Sequence, residues 1–491
     1  MTLRCLFVDF NSYFASVEQQ DEPRLRGRPV GVVPVLAPTT CCIAASVEAK
    51  QHGVGTGTPV REALEMCPDI MLVEARPARY VELHHQLMNA IQDCIPHGKP
   101  ASIDEVPCWL IGRERKRGNA EDIARAIKRR ITDEFDWIRC SIGIAPNKFL
   151  AKTASDMQKP DGLTVIEQDD LPRALHNLEL RDLCGIGPSM ERRLLAAGIA
   201  DVPQLCAAPR EYLRAAWGSV EGERFWLQLR GFDVPERKTT RASIGHSHVL
   251  GPELRNFAGM RSVLFKMLAK AAMRLRHDRF LAAGLAIRVR FVGIEQCFER
   301  NLRFAPIDDT STLLQLLGQK LAALEHSIGR GCWDPQRYPP LSVAVTLVDI
   351  EPREQVSNEL IPTRARAMRV DAALDRINEK FGNNTLYFGA MQKAVGLDAA
   401  PMRIPFQTIP DRAREEDKVT RKRQTGIRGP ADELWLRRER RFKLLAEASR
   451  REVRQSRTSQ RGTQSPGAGA DGWLPEMHHR STSDSGQLAL F

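Results

Sequence analysis

Short apolar runs alternate with stretches of helical spacing along the first 166 residues. The run 3–8 predicts a strand that ends at Asp9, and Asn11 or Ser12 predicts the cap of a helix through Glu18. Strands and helices follow without a strict βαβ repeat, which favours a mixed α+β sheet domain. The other predicted strands are 30–36, 41–45, a pair over 102–111 and 139–144; the predicted helices are 48–52, 59–66, 77–95, 119–135 and 147–156; residues 20–75 form a small insertion.

The rest of the chain divides by the period of its apolar residues. Helical spacing over 167–236 surrounds a Gly-x-Gly turn at 185–187, which predicts helices joined by a tight turn. A second α+β unit is expected over 237–350 and a folded extension over 351–417. Residues 418–491 are expected to form a basic and then disordered tail. Within the second unit, helices are predicted at 257–277 and 310–326 and strands at 285–292 and 341–350.

Composition and cysteine usage exclude several protein classes. The chain has 491 residues, 42% hydrophobic and 27% charged, and no apolar run approaches the roughly 18 residues that span a bilayer. Its N-terminus has no basic leader or small-residue cleavage site, so a soluble, unexported protein is expected. The 11 cysteines form no C-x-x-C pair, which argues against a zinc module or disulfide framework and favours a reducing cytoplasm.

Net charge is distributed unevenly along the chain. The total is +11, but residues 1–236 carry about −4, 237–350 carry +8 from 17 basic and 9 acidic side chains, and 418–457 carry +9 from 14 and 5. This pattern is typical of a protein in which an acidic region holds metals while basic regions follow a polyanion such as nucleic acid. Solvated helix faces are the alternative that charge alone leaves open.

Three carboxylates are candidates for chemistry. Asp9 ends the first strand, and Asp104 and Glu105 are adjacent between the apolar residues Ile103 and Val106. Burying neighbouring carboxylates is costly unless a cation neutralises them. Hard divalent ions such as Mg²⁺ prefer oxygen ligands, so the three side chains together predict a site for phosphoryl transfer. A solvated Asp-Glu turn is the alternative.

Five motifs occur in a fixed order along the chain. They are VDFNSYFASVE at 8–18, SIDE at 102–105, SIGIAPNK at 141–148 with LAK at 150–152, DMQKP at 156–160, and GIG at 185–187. In order and spacing they resemble those of Y-family translesion DNA polymerases, over residues 1 to about 350. The bacterial DinB and UmuC branches are the most similar, and Asn11 with Ala49 and Lys50 favours UmuC.

The resemblance implies a right-hand polymerase and a metal site. The palm with its fingers insertion would cover 1–166, the thumb 167–236 and the little finger 237–350. Two Mg²⁺ ions would be held by three carboxylates and one main-chain carbonyl, and would serve nucleotidyl transfer. The implied metal and catalytic residues are Asp9, Asp104 and Glu105, with the carbonyl of Phe10 as the main-chain ligand.

The resemblance also implies contacts to the incoming deoxynucleoside triphosphate. Phe14 matches the aromatic steric gate that excludes a ribose 2′-hydroxyl, with an ordinary core aromatic as the alternative. Lys159 and Lys50 match cations that reach the triphosphate, and each could instead be a solvated lysine. Ala44 and Val47 depart from the family, because DinB-like members often have Thr and Tyr hydroxyls at these positions. This departure puts nucleotide affinity in doubt but leaves the metal site in place.

Two further features imply partners. Gly185, Ile186 and Gly187 resemble the turn of a helix-hairpin-helix, which binds the primer-template backbone; a plain tight turn is the alternative. The basic little finger would lie along DNA phosphates. The C-terminal QLALF resembles a peptide that binds the bacterial sliding clamp. Its contact residues would be Gln487, Leu488, Leu490 and Phe491.

The sequence therefore predicts a template-directed DNA polymerase that performs translesion synthesis. A monomeric, cytoplasmic protein without membrane contact is expected. One rival is a non-catalytic accessory protein that keeps the fold and recruits partners; the retained carboxylates argue against it, and Ala44 and Val47 argue weakly for it. The other is a repair protein that only binds DNA, which the complete order of motifs disfavours.

Overall fold

Helices and strands alternate through most of the chain. A computed structural model describes residues 2–237, 240–329, 333–357 and 364–417, together with the backbone of two short strands. The strands are β1 (Cys5–Phe10), β2 (Val30–Val33), β3 (Ala44–Ala45), β4 (Met71–Glu74), β5 (Glu105–Trp109), β6 (Cys140–Ala145), β7 (Leu163–Val165), β8 (Ser243–Val249), β9 (Phe280–Phe291), β10 (Cys297–Ile307), β11 (Pro340–Pro352), β12 (Ile427–Arg428) and β13 (Met477–His478). The helices are α1 (Tyr13–Asp21), α2 (Val47–Gln51), α3 (Val60–Met66), α4 (Pro77–Gln92), α5 (Arg117–Glu134), α6 (Lys148–Met157), α7 (Pro188–Ala196), α8 (Val202–Ala207), α9 (Arg210–Trp217), α10 (Glu221–Leu229), α11 (Phe257–His277), α12 (Thr310–Gly329), α13 (Ala365–Phe381), α14 (Gln392–Gly396) and α15 (Arg412–Glu415).

The first sheet places the candidate carboxylates. Its strand order is β5–β1–β6–β7, and β1 is antiparallel to both of its neighbours. Side chains alternate between the two faces of a strand. Val8 is buried in a core that includes α4 and α5, whereas Phe7 is buried in one that includes α6. Asp9 follows Phe7 by two residues and therefore lies on the α6 face.

The predicted strand pair over 102–111 is wrong. The structure has one strand there, β5, and residues 101–104 are bends. The cause is local hydrogen bonding, because the hydroxyl of Ser102 donates to the carboxylate of Asp104 and accepts from its backbone N–H. The bend leaves Asp104 and Glu105 at the start of β5 instead of inside a hairpin.

Two smaller units flank this sheet. The insertion has its own sheet, with β2 between β3 and β4, and a core of its own that includes Ala49 of α2 and Ala63 of α3. The unit from α7 to α10 is preceded by short 3₁₀ turns and shares a core with α6, through Leu150 and Leu194 for example. The helical unit from α7 to α10 is thus built directly onto the helix that faces Asp9.

The third sheet belongs to the second α+β unit. Strands β10, β9, β11 and β8 are neighbours in that order and pair antiparallel. Helices α11 and α12 cover one face, where Leu285, Ile287 and Val343 are buried. The extension continues into this core through α14, with Ala394 and Val395. No helix in the described ranges is long and apolar enough to cross a membrane.

Candidate active site

Asp9 and Glu105 lie side by side across neighbouring strands. They are direct partners in the antiparallel register of β1 and β5, which puts both side chains on the same face of the sheet. Asp9 is only 3% exposed. Two carboxylates this close, with one of them buried, need a cation between them.

The ammonium of Lys152 supplies that positive charge. It contacts the carboxylate of Asp9, lies 2.7 Å from the Glu105 Oε1 and 3.2 Å from the Asp156 Oδ2. Burial lowers the pKa of Lys152, but the charges of Asp9, Glu105 and Asp156 outweigh burial and raise it well above its usual range. Lys152 is therefore held in its charged form on the α6 face.

A second lysine reaches the other oxygen of Asp9. The Lys159 Nζ lies 2.7 Å from the Asp9 Oδ1 and 2.6 Å from the Asp156 Oδ1. Lys50 belongs to the same electrostatic neighbourhood. Desolvation and the charge of Lys159 lower the pKa of Lys50, and the charges of Asp9 and Asp104 offset this only in part. Of the two predicted triphosphate lysines, Lys159 thus contacts the carboxylates, whereas Lys50 is near enough for their charges to affect its pKa.

Asp104 is fixed by the turn that precedes β5. Its carbonyl accepts a hydrogen bond of 2.9 Å from the backbone N–H of Phe10, and its Oδ1 accepts one of 2.6 Å from the Ser102 hydroxyl. Burial raises the pKa of Asp104 to about 6; the Ser102 hydrogen bond opposes this, and the charges of Asp9 and Glu105 add to it. The surroundings of Asp104 thus disfavour its negative charge.

His84 supports the same turn from α4. Its Nδ1–H donates to the carbonyl of Ile103 at 2.7 Å, and the side chain is 2% exposed. Burial lowers the pKa of His84 to about 4, although the hydrogen bond to Ile103 acts in the opposite direction. The imidazole is therefore neutral in the folded protein at neutral pH.

This His84 pKa predicts acid sensitivity. Because the folded pKa lies below the unfolded value of about 6.5, protons bind the unfolded chain more tightly, and stability is lost as pH falls from about 6.5 towards 4. His84→Asn keeps an N–H donor but does not titrate. Urea unfolding at pH 7 and pH 5 should show the wild type losing about 2 kcal/mol more than the variant. Equal losses in both proteins would contradict the assignment.

The oxygen atoms of this site are chemically of the kind that binds a hard divalent cation. Carboxylate and main-chain carbonyl oxygens are the ligands that Mg²⁺ uses in proteins, and here the carboxylates of Asp9 and Glu105 contact a lysine ammonium. In the described part of the chain, no group of three or more His, Cys, Asp or Glu is arranged to hold a metal ion. Instead, the carboxylate of Asp104 accepts a hydrogen bond from Ser102, and the carboxylates of Asp9 and Glu105 both contact the ammonium of Lys152.

Phe14 lies beside this site within an aromatic cluster. Its ring stacks on Tyr80 with centroids 4.5 Å apart, and it is tilted against Tyr13 at 5.9 Å and Phe406 at 5.6 Å. Phe14 is only 4% exposed. The ring is therefore part of the core of the first domain as well as a candidate gate, so the two interpretations of Phe14 do not exclude each other.

The positions that depart from the family lie in the insertion. Ala44 is in β3, and Val47 is the first residue of α2. Neither side chain can donate a hydrogen bond to a phosphate. Lys50 follows on the same short helix and is the cationic side chain of that helix.

The Gly-x-Gly turn has the geometry expected for close backbone approach. Gly185 has φ of +94°, which favours glycine, and Gly187 caps α7 in an extended conformation. A Cβ added at Gly187 would meet no atom within 4 Å, so this side of the turn is open. Ile186 between them is buried at 4% exposure and anchors the turn to the core.

The open face of the third sheet carries cationic side chains. Arg288 and Arg290 are exposed on β9, because they alternate with the buried residues Ile287 and Val289 that face α11 and α12. Arg303 is exposed on the neighbouring strand β10. This arrangement provides a surface suited to a polyanion.

Comparisons with known proteins agree with these features. Residues 8–156 match the model of the impB/mucB/samB family, and residues 241–360 match the model of that family's C-terminal domain. A solved Y-family DNA polymerase chimera has the same fold, with a TM-score of 0.57 and 23% identity, covering 71% of this chain and 99% of that one.

Two curated relatives decide the family. The DNA polymerase IV of Moorella thermoacetica is 34% identical over 401 residues, which cover 80% of this chain and 96% of that protein. The DNA polymerase IV of Pelotomaculum thermopropionicum is 32% identical over 404 residues, covering 78% and 94%. The chain belongs to the Y family of DNA polymerases.

This Y-family polymerase is DinB-like and catalyses template-directed, translesion DNA synthesis. The expected polymerase fold and activity are confirmed. The preference for UmuC that Asn11, Ala49 and Lys50 suggested is not supported, since the relatives named above are DNA polymerase IV proteins. Asn11 has a structural role instead: its side chain donates to Ser141 and accepts from the N–H of Asp161.

Proposed function

We propose that this polymerase uses two Mg²⁺ ions held by Asp9, Asp104, Glu105 and the main-chain carbonyl of Phe10. The observation that carries the proposal is the pairing of Asp9 with Glu105 across β1 and β5, around a positive charge. Bound Mg²⁺ would lower the pKa of the primer 3′-hydroxyl and neutralise charge on the triphosphate. The sheet's contribution is to hold the carboxylates at fixed positions before substrate arrives.

The lysines of the site have a second role in this proposal. Lys152 and Lys159 neutralise the carboxylates in the free enzyme, and Lys159 and Lys50 meet the triphosphate when nucleotide binds. Lys159 is suited to this because its side chain is about one-third exposed, whereas that of Lys152 is 15% exposed. With Ala44 and Val47 lacking donors, affinity for the triphosphate depends on these cations.

Replacing Lys159 with Met tests this role. The variant should raise the KM for deoxynucleotides about tenfold or more and change kcat less, because a ground-state charge contact to the triphosphate is removed. Lys116→Met, on an exposed part of the palm away from the carboxylates, is the matched control. An unchanged KM in the Lys159 variant would refute the assignment.

We propose that primer-template DNA lies against two surfaces. The 185–187 turn would offer main-chain N–H groups to a phosphate, and the exposed arginines of β9 and β10 would follow the backbone of the duplex. These contacts to the DNA backbone would not depend on the base sequence, which suits an enzyme that copies any template. We further propose a monomer that acts in the cytoplasm, where DNA and nucleotides are available.

We also propose that the C-terminal peptide binds a sliding clamp. Gln487, Leu488, Leu490 and Phe491 lie outside the described residues, so the proposal rests on the sequence QLALF and on the polymerase activity. Apolar anchors that fill a pocket would provide most of the affinity. The preceding polar stretch, 455–485, would be the tether.

Deleting residues 487–491 should leave synthesis on a short primer unchanged but lower clamp-stimulated synthesis sharply. The reason is effective concentration, since a clamp-bound tether of this length would keep the polymerase near the primer end at roughly millimolar level. A pull-down of purified clamp at moderate salt compares the two chains. Equal clamp recovery would contradict the tether, and recovery that vanishes with salt for both would assign the contact to the basic segment 418–457.

A further inference from the structure

The extension returns from the third sheet to the first. Its segment 399–417 begins on α11, where the Lys266 Nζ donates to the carbonyl of Ala399 at 2.6 Å and the Lys270 Nζ donates to that of Ala400 at 3.2 Å. The same two ammonium groups lie 2.7 and 2.6 Å from the carboxylate of Asp417. Both ends of the segment are thus fixed to α11.

The middle of the segment packs on the palm. Met402 is a member of the palm core at 5% exposure, and Ile404, Phe406 and Ile409 pack against that core. Arg412 adds an ion pair of 2.9 Å to Glu82 on α4. We call residues 399–417 the strap, because they join α11 of the little finger to α4 of the palm.

Phe406 places the strap at the nucleotide site. Its ring is tilted by 56° against Phe14, with centroids 5.6 Å apart, and its carbonyl accepts a hydrogen bond of 3.0 Å from the backbone N–H of Ile103. Ile103 directly precedes Asp104. One strap residue therefore contacts the candidate gate and the turn that carries a candidate catalytic carboxylate.

The gate ring depends on its neighbours for its position. Phe14 is packed between Tyr80, which is fully buried and bonded through its hydroxyl to Glu18, and Phe406. Tyr80 belongs to the same domain as Phe14, whereas Phe406 comes from a segment about 390 residues away in sequence. A clash between an aromatic ring and a 2′-hydroxyl requires a ring that cannot give way.

We propose that Phe406 is a positioning residue for sugar selection: it holds the Phe14 ring against movement, so that a ribose 2′-hydroxyl is excluded. This inference rests on the proposed role of Phe14 as the gate. The ion pairs of the strap favour a strap that stays in place, because its release would separate the carboxylate of Asp417 from two buried lysines. Through the strap, the little finger contributes to the nucleotide pocket.

The test is the preference for dCTP over rCTP opposite a template guanine, measured as the ratio of their kcat/KM values with the full-length protein. Phe406→Ala should lower this preference about three- to tenfold, the range expected for one aromatic pair. Phe406→Tyr, which keeps the ring, should retain the wild-type preference for dCTP. Ile409→Ala is the matched control, because it loosens the same strap without removing a ring from Phe14.

The double variant of Phe14→Ala with Phe406→Ala decides whether the effect passes through the gate. Its preference should equal that of Phe14→Ala alone, since a positioning residue has nothing left to position. An unchanged preference in Phe406→Ala, with a changed one in Phe14→Ala, would overturn the inference and leave the gate standing. A higher kcat/KM for dCTP with the preference unchanged would also overturn the inference, because it would show that Phe406 limits access of both nucleotides to the site. No effect of Phe14→Ala would instead refute the gate itself.

Discussion

Replacing Asp104 with Asn, or Glu105 with Gln, should lower the rate of primer extension about a thousandfold or more. Each change removes one negative charge from the oxygens proposed to bind Mg²⁺ while keeping the size of the side chain, so transition-state stabilisation worth several kcal/mol should be lost. Affinity for primer-template DNA should stay nearly unchanged, because DNA is assigned to the 185–187 turn and the arginines of the third sheet. Single-turnover extension and fluorescence-anisotropy binding measure the two quantities separately.

Asp122→Asn is the matched control for these variants. Asp122 lies on α5, its side chain is 75% exposed, and its contact is a surface ion pair with Arg125. It should extend primers at the wild-type rate. If the Asp104 and Glu105 variants behave like this control, the site assignment is wrong; if they lose DNA binding together with activity, the carboxylates act on the fold instead.

Replacing Phe14 with Ala should raise ribonucleotide incorporation on the order of a hundredfold, with a much smaller change for deoxynucleotides. The removed ring matters only to a sugar that carries the extra hydroxyl, so the effect is selective. Competition between dCTP and rCTP on one primer measures the change directly. Tyr13→Ala is the neighbouring variant on the same helix, and a selectivity change in that variant alone would show that the gate is one residue earlier.

The first domain follows closely from its apolar pattern. Helices predicted at 77–95 and 119–135 are observed at Pro77–Gln92 and Arg117–Glu134. Both have one clearly apolar face that the sheet needs to bury, so local pattern and tertiary packing agree. The amphipathic helix predicted at 257–277 is observed at Phe257–His277 for the same reason.

Strand β10 could not be predicted in the same way. Its stretch 299–303 contains Glu299, Arg300 and Arg303 and one apolar residue, Leu302, because one face of the third sheet is open. The neighbouring strand β9 is predicted over 285–292, because that stretch is rich in Leu, Ile and Val. A strand that contributes charge to an exposed sheet face gives a weak hydrophobic signal, and its place is fixed by pairing with a neighbour.

The site was predicted in part. Asp9, Asp104 and Glu105 could be proposed from strand ends and adjacent charges, but the roles of Lys152 and Asp156 were missed. Their spacing of four residues on a helix next to a strand-end carboxylate was the available signal. No sequence pattern indicated a role for Phe406, because its contact with Phe14 depends on how the strap folds back across the first domain.

The account is tested most directly by extension of a primer on a template with a single abasic site, using the purified full-length protein with Mg²⁺. The account predicts that the wild type inserts a nucleotide opposite the lesion and extends beyond it, and that Asp104→Asn binds the same DNA without extending it. Binding of the DNA by the wild type without any nucleotide insertion, on damaged and intact templates alike, would contradict the account and favour a non-catalytic accessory protein.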